Sequence, residues 1–216
     1  MKAQDHEKRE AEGVIRFRLD HQPGGPAEAV VTAPLRAWFV VLRRLALLGR
    51  DPARYLGYAY GNLSRKVEKG FWITCTQTAG RHTLAPDHFT RVSGWDLAAN
   101  RLRAQGPCRP SSEALTHAVV YEAAPSARFV FHVHSPTIWC QAEALGLAVT
   151  DPNAEYGTPA MAEETLRIIA GMGRPGTGAL SMGGHEDGIL AWGETAEAAG
   201  TRLVALLAAA LEHTGE

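Results

Sequence analysis

The 216 residues carry 45% hydrophobic side chains, enough for one substantial core and too many for a disordered chain. Lysine plus arginine (22) nearly cancels aspartate plus glutamate (23), so no global field draws the protein to nucleic acid or an anionic membrane. No apolar run approaches the ~18 residues of a membrane span, and the start MKAQDHEKRE is polar, which predicts a cytoplasmic protein with no membrane partner.

In chain order, GVIRFRL alternates like an edge strand and DHQPGGPAE reads as turn. No repeat or linker follows residue 33, which divides an N-terminal extension, 1–33, from a single domain, 34–216. From Pro34 to Leu48, Leu35, Trp38, Phe39, Leu42 and Leu45 recur at helical spacing, with Gly49 placed as the C′ glycine. YAYGNLSRKV and GFWITCTQTAG are strand-like runs with small polar loops, and FTRVSGWDL is a short strand and turn. PSSEALTHAVVYEAA begins a helix at its serine pair. RFVFHVHS is a strand, and SPTIWCQAEALG opens a helix with Ser135 as N-cap and Pro136 behind it. GTPAMAEETLRIIAG repeats that signature from Thr158. GALSMGGHEDGILAWG reads as two short strands about a glycine-rich turn, before a helix from Thr195 to about Glu212. The three cysteines, Cys75, Cys108 and Cys140, are far apart and odd in number, which predicts plain thiols in a reducing compartment.

The strand RFVFHVHS carries the chemistry. Alternate residues of a strand face opposite sides, so Phe129, Phe131 and Val133 point one way and Val130, His132 and His134 the other. At a rise of about 3.3 Å per residue the two imidazoles stand roughly 6.6 Å apart at their bases, close enough to share one divalent metal. A catalytic site of this kind takes three protein ligands and keeps a position open. His185, in its glycine-rich turn, is the first candidate for the third, with Glu143 and Glu155 as alternatives. Glu113 stands in the first turn of its helix after Ser111 and Ser112, a placement that also suits a carboxylate stabilised by the helix dipole. The remaining histidines, His6, His21, His82, His88, His117 and His213, lack a partner at ligand spacing and read as structural or exposed. The loops GNLSRK and TQTAG have the composition of backbone nests that cradle anions.

In order along the chain, GNLS (61–64), ITCTQTAG (73–80), PSSEALTHAVVY (110–121), HVHS (132–135), YGTPAMA (156–162) and GGHEDGILAWG (183–193) resemble the class II aldolase and adducin head family from about Pro34 onwards. The resemblance implies an α/β fold, a three-layer α/β/α sandwich with a central, mainly antiparallel sheet. It implies a metal-dependent lyase that cleaves a small hydroxylated carbonyl compound, a sugar or sugar phosphate, through an enediolate. His132, His134 and His185 would hold one divalent metal, zinc foremost, with manganese, cobalt or iron as other divalent choices. Glu113 would serve as acid and base, while Asn62, Thr78, Gly80, Ser111 and Ser112 would bind the substrate phosphate. Family relatives form homo-oligomers, often tetramers.

Epimerases and dehydratases use the same site, and an adducin-like interaction module without catalysis is the alternative from another class. A cupin-like oxygenase also uses His-x-His, but its all-β architecture conflicts with the helices expected at 35–48 and 195–212. The chain departs from the family's sugar phosphate aldolases at TQTAG, where they have a tighter threonine-proline turn. It departs again after His185, where Glu186 and Asp187 precede Gly188, so that either acidic residue is placed to orient the ring.

Overall fold

A computed structural model describes residues 14–215; His6 and Gly13 lie outside them. Strand β1 (Arg18–Pro23) leads to helix α1 (Ala29–Arg44), the short strands β2 (Gly49–Arg50) and β3 (Ala59–Tyr60), then β4 (Asn62–Lys66), β5 (Phe71–Thr74), β6 (Phe89–Asp96) and β7 (Arg101–Gly106). Helix α2 (Ala114–Ala123), β8 (Phe129–His134), α3 (Pro136–Cys140), β9 (Ala148–Val149), α4 (Pro159–Gly171), β10 (Gly178–Ser181), β11 (Gly188–Gly193) and α5 (Ala196–Thr214) follow.

Nine strands form one sheet in the order β1-β7-β6-β5-β4-β8-β11-β10-β9, and β2 pairs with β3 apart from it. The outermost pairs, β1 with β7 and β9 with β10, are parallel, and the pairs between them are antiparallel. The alternation along β8 divides the core. Phe129, Phe131 and Val133 pack with Leu35, Phe39 and Leu42 of α1 and Leu203 and Leu206 of α5. On the other face Val130 joins Leu115 and Ala118 of α2 and Ile168 and Ile169 of α4. The result is the three-layer α/β/α arrangement around a mainly antiparallel sheet.

Capping chemistry sets several helix starts as the sequence predicts. Ser135, Thr158 and Thr195 each accept a backbone N–H three residues on, with Pro136 and Pro159 in the first turns of α3 and α4. Helix α1 differs from expectation at both ends. It begins at Ala29, five residues before Pro34, and Arg65 Nη1 donates to the carbonyls of Val30 at 3.3 Å and Val31 at 2.8 Å. Val30 is the carbonyl that a proline nitrogen at position 34 leaves without its helical donor. At the other end Ala46, at φ 56°, takes the left-handed C′ role expected of Gly49, and Leu47 N–H closes on Leu42 O at 3.0 Å. Leu47 and Leu48 are thereby freed from the helix to be buried in the core.

The first strand is also displaced. DHQP, expected as turn, forms the second part of β1, where Asp20–Pro23 pairs with Arg103–Gly106. The parallel β7 edge supplies a backbone ladder that turn-forming composition does not reveal. Residues before 34 thus give β1 and the start of α1 to the same sheet and layer.

The expectation of three plain thiols is corrected for two of them. Cys75 and Cys108 form a disulfide with Cα atoms 5.8 Å apart, while Cys140 is free. After β7 the chain returns across the start of β6, so that Cys75 bridges Pro110 and Thr76 N–H reaches Arg109 O at 3.0 Å. The sequence separation of 33 hides this approach. Closing a loop of that length restricts the unfolded chain by about 3–4 kcal/mol in the chain-entropy account. Reduction, or Cys75→Ser with Cys108→Ser, is therefore expected to lower the melting temperature by roughly 5–15 °C, measured by circular dichroism with and without dithiothreitol.

Candidate metal centre

The register of the central strands collects the site at one end of those strands. Asn62, at the start of β4, lies opposite His132 near the end of β8; Gly188, at the start of β11, lies opposite His134. On the far side of β4, the end of β5 is drawn in by Leu63 N–H donating to Thr74 Oγ1 at 3.2 Å. Thr74 O in turn accepts Ser111 N–H at 3.1 Å, which brings the entrance of α2 to the same end of the strands. Gly61, just before Asn62, has φ +84°, and a Cβ there would meet Leu48 Cβ at 2.6 Å and His132 O at 3.1 Å, so only glycine fits.

His132, His134 and His185 converge. Their ring centroids are 4.7–5.2 Å apart, all three are buried, and one nitrogen from each lies within 4.8 Å of the others. The Nε2 atoms of His132 and His134 are 3.0 Å apart. Tetrahedral ligands at about 2.0–2.1 Å from one ion stand roughly 3.3 Å from each other, so this donor set fits a zinc-like cation with small ring adjustments. Burial holds the His132 and His134 imidazoles well below their usual range, reinforced in each case by the neighbouring histidines. Both are therefore neutral at pH 7 and keep a lone pair for a metal. The Tyr156 ring lies 4.5 Å from His185, and Arg16 lies over the Tyr156 ring at 4.4 Å. The alternatives for the third ligand stand apart from the cluster: Glu143 is exposed, and Glu155 pairs with Arg16 at 2.6 Å.

Glu113 is fully buried at the N-cap of α2, where Thr116 Oγ1 donates to its Oε2 at 2.9 Å and its own N–H donates to Ser111 Oγ at 3.3 Å. Ser111 and Ser112 are buried beside it. Thr78 and Gly80 occupy a single 3₁₀ turn, Thr78–Gly80, held to β3 by Gln77, whose Oε1 accepts Ala59 N–H at 2.9 Å. Thr78 spends its hydroxyl proton on Cys75 O at 2.6 Å. The disulfide therefore joins the Thr78 turn to the segment leading into Ser111, Ser112 and Glu113.

Two groups near the site escape a motif reading. Glu113, His117 and Tyr121 lie at i, i+4 and i+8, one stripe of α2. Ser64 Oγ sits 2.6 Å from His117 Nδ1 and 2.7 Å from the Tyr121 hydroxyl. The helical spacing was the available signal for this stripe. The second group comes from the segment between β2 and β3. Tyr55 O–H donates to Asp187 Oδ2 at 2.6 Å, Arg54 Nη2 lies 3.2 Å from the same oxygen, and the Tyr55 ring stands edge-on to His134 with centroids 4.7 Å apart. Burial, then Asp187, pushes the Tyr55 phenol far up, so it remains a donor. Of the two acidic residues expected beside the His185 ring, Glu186 and Asp187, the carboxylate of Asp187 accepts from Tyr55 and Arg54 of this loop.

A family model described as class II aldolase and adducin N-terminal domain matches residues 51–213. Similar solved structures include L-fuculose-1-phosphate aldolase from Thermus thermophilus, 20% identical with a TM-score of 0.64, covering 87% of this chain and 94% of that one. A sugar-phosphate aldolase from Thermotoga maritima is 13% identical with a TM-score of 0.63, covering 87% of this chain and 97% of the other. L-fuculose 1-phosphate aldolase from Glaciozyma antarctica is 14% identical with a TM-score of 0.59, over 87% of this chain and 73% of that one. No curated protein sequence matches this chain significantly.

Burial lowers the His117 imidazole to about 3 from an ordinary 6.5, so the folded protein refuses a proton that the unfolded chain accepts. Its contribution is present above pH 6.5 and is lost as pH falls from there towards 3, with the metal-free His132 and His134 acting in the same direction. His117→Gln is expected to flatten the decline of melting temperature between about pH 6.5 and 4 in metal-free protein; an unchanged slope would contradict the assignment.

Proposed function

The chain belongs to the class II aldolase and adducin N-terminal domain family, and on that premise we propose that it is a metal-dependent aldolase cleaving a small hydroxylated carbonyl compound, a sugar phosphate in the first instance. The observation that carries this reading is the convergence of three buried imidazoles at the end of the central strands, the end to which the Ser111–Glu113 segment is tied through Thr74. His132, His134 and His185 would hold a divalent cation, zinc by preference, and such a cation supplies Lewis-acid polarisation of substrate oxygens. Glu113 is the acid and base. Its Oε2 is fixed by Thr116, which orients the carboxylate for proton transfer at the substrate carbon and hydroxyl. Asn62, the Thr78–Gly80 turn and the Ser111–Ser112 pair form the anion end, with the entrance of α2 adding its favourable dipole. No lysine Schiff base is needed.

Epimerisation and dehydration draw on the same residues and are the neighbouring outcomes. A non-catalytic scaffold is less well supported, because burying Glu113 and three imidazoles together costs stability that an interaction surface has no reason to bear. We further propose a homo-oligomer, a tetramer by family likeness. No helix of the described residues is long and apolar enough to cross a membrane. The cytoplasmic setting expected from the cysteine pattern loses that part of its support to the Cys75–Cys108 bridge.

Purified protein is expected to contain about one divalent metal per chain and to release an aldehyde from some member of a panel of phosphorylated and plain ketoses supplied with zinc or manganese. Glu113→Gln should retain the metal and lose about 10²–10⁴-fold in turnover. Metal-free, chelator-insensitive protein would point to the scaffold, and full turnover in the variant would remove Glu113 from the chemistry.

A further inference from the structure

The segment between β2 and β3 is built under strain and aimed at the histidines. Tyr55, Leu56 and Gly57 take φ of 48°, 56° and 76°, three successive left-handed residues of which two have side chains. Such backbone persists only where its surroundings hold it, and it gathers at functional sites. The local bonds are dense: Gly57 N–H to Arg54 O at 2.8 Å, Tyr58 N–H to Tyr55 O at 3.0 Å, and Arg50 Nε to Gly57 O at 2.7 Å. What the conformation achieves is the delivery of Tyr55 and Arg54. Arg54 Nη2 bonds the Tyr55 hydroxyl, and its guanidinium lies over the rings of Tyr55 and Tyr60 at 4.8 and 5.3 Å. Tyr60 stands 5.6 Å from the His134 ring.

The partner end is strained as well. Asp187, at φ 61°, belongs to the turn that carries His185, closed by Gly188 N–H to His185 O at 2.9 Å and Met182 N–H to Gly188 O at 2.8 Å. Its carbonyl also accepts Ser135 N–H at 2.8 Å, one residue after His134. One tyrosine hydroxyl thus ties the β2–β3 segment to the turn of one histidine, while its ring lies against another.

We propose that Tyr55 and Asp187 form a clamp that holds His134 and His185 at ligand geometry, making Tyr55 a positioning residue for the metal site. This rests on reading the three histidines as the metal ligands. Tyr55→Phe keeps the ring against His134 and removes only the bond to Asp187; Asp187→Asn keeps the shape and removes the charge. Second partners of metal ligands typically tune affinity by about 10–100-fold, and a loss in that range is expected for Zn²⁺ in each variant, measured by competition with a chromogenic chelator. The double variant should lose less than the sum of the two single losses, since Asp187→Asn weakens the same Tyr55–Asp187 bond that Tyr55→Phe removes. With Co²⁺ as probe, the visible ligand-field bands should shift in both variants, and Tyr55→Leu, which also loses the ring, should shift them further. At saturating metal, kcat should return to within about twofold of the unmodified enzyme, since the clamp acts only through the ligands.

Unchanged Zn²⁺ affinity and Co²⁺ spectra in both variants, strictly additive losses, or a kcat that stays low at saturating metal would each overturn the clamp. So would an affinity loss accompanied by unfolding of the metal-free variant. If the three histidines are not the ligands at all, the outcome is distinct: unmodified protein, like His185→Ala, would bind neither Zn²⁺ nor Co²⁺ at any concentration tested.

Discussion

The two backbone ladders flanking β8 determine where everything else in the site stands. His132 faces Asn62 across one ladder, and His134 faces Gly188 across the other. Because side chains alternate with a period of two, a slip of one residue in either ladder would turn the imidazoles into the apolar layer of Phe131 and Val133. The hydrophobic demand of that layer therefore enforces the register that presents the polar pair on the α2 side. Fold stability and ligand geometry rest on the same alternation, and neither can change without the other.

The face opposite the apolar layer is unusually polar for a protein interior. Ser64, His117, Tyr121, Glu113 and His132 are all buried there, between the sheet and α2. The hydrogen bonds of Ser64 to His117 and Tyr121 offset part of the desolvation, and such networks specify one arrangement more sharply than apolar packing does. Helix α2 consequently has little freedom to rotate or slide, which fixes the height of Glu113 at its N-cap.

Much of this was legible in the sequence, for physical reasons that can be named. His132 and His134 stood out because strand alternation is strict, and packing alone rarely sets two imidazoles on one face of an apolar run. The starts of α3, α4 and α5 were legible because a capping hydroxyl acts within three residues. The features that were not legible all depend on partners distant in sequence. The ladder that turns DHQP into strand comes from β7, the donor that tolerates Pro34 inside α1 is Arg65, and the partner of Asp187 is Tyr55, a sequence separation of 132. The Cys75–Cys108 bridge belongs with these: the pairing of Cys75 with Pro110 exists only once β5, β6 and β7 lie side by side. Ala46 failed the glycine rule because the burial of Leu47 and Leu48 outweighed the cost of a left-handed alanine.

The bridge also divides the site into parts with unequal tethers. The Thr78 turn and the serine–glutamate entrance of α2 are linked covalently, whereas the His185 turn is held by hydrogen bonds and packing alone. Any local opening of the 182–188 turn has to break the Tyr55–Asp187 and Ser135–Asp187 hydrogen bonds but no covalent link. The Thr78 and Ser111 segments thus stay together even when such bonds open, because a covalent ring closes them.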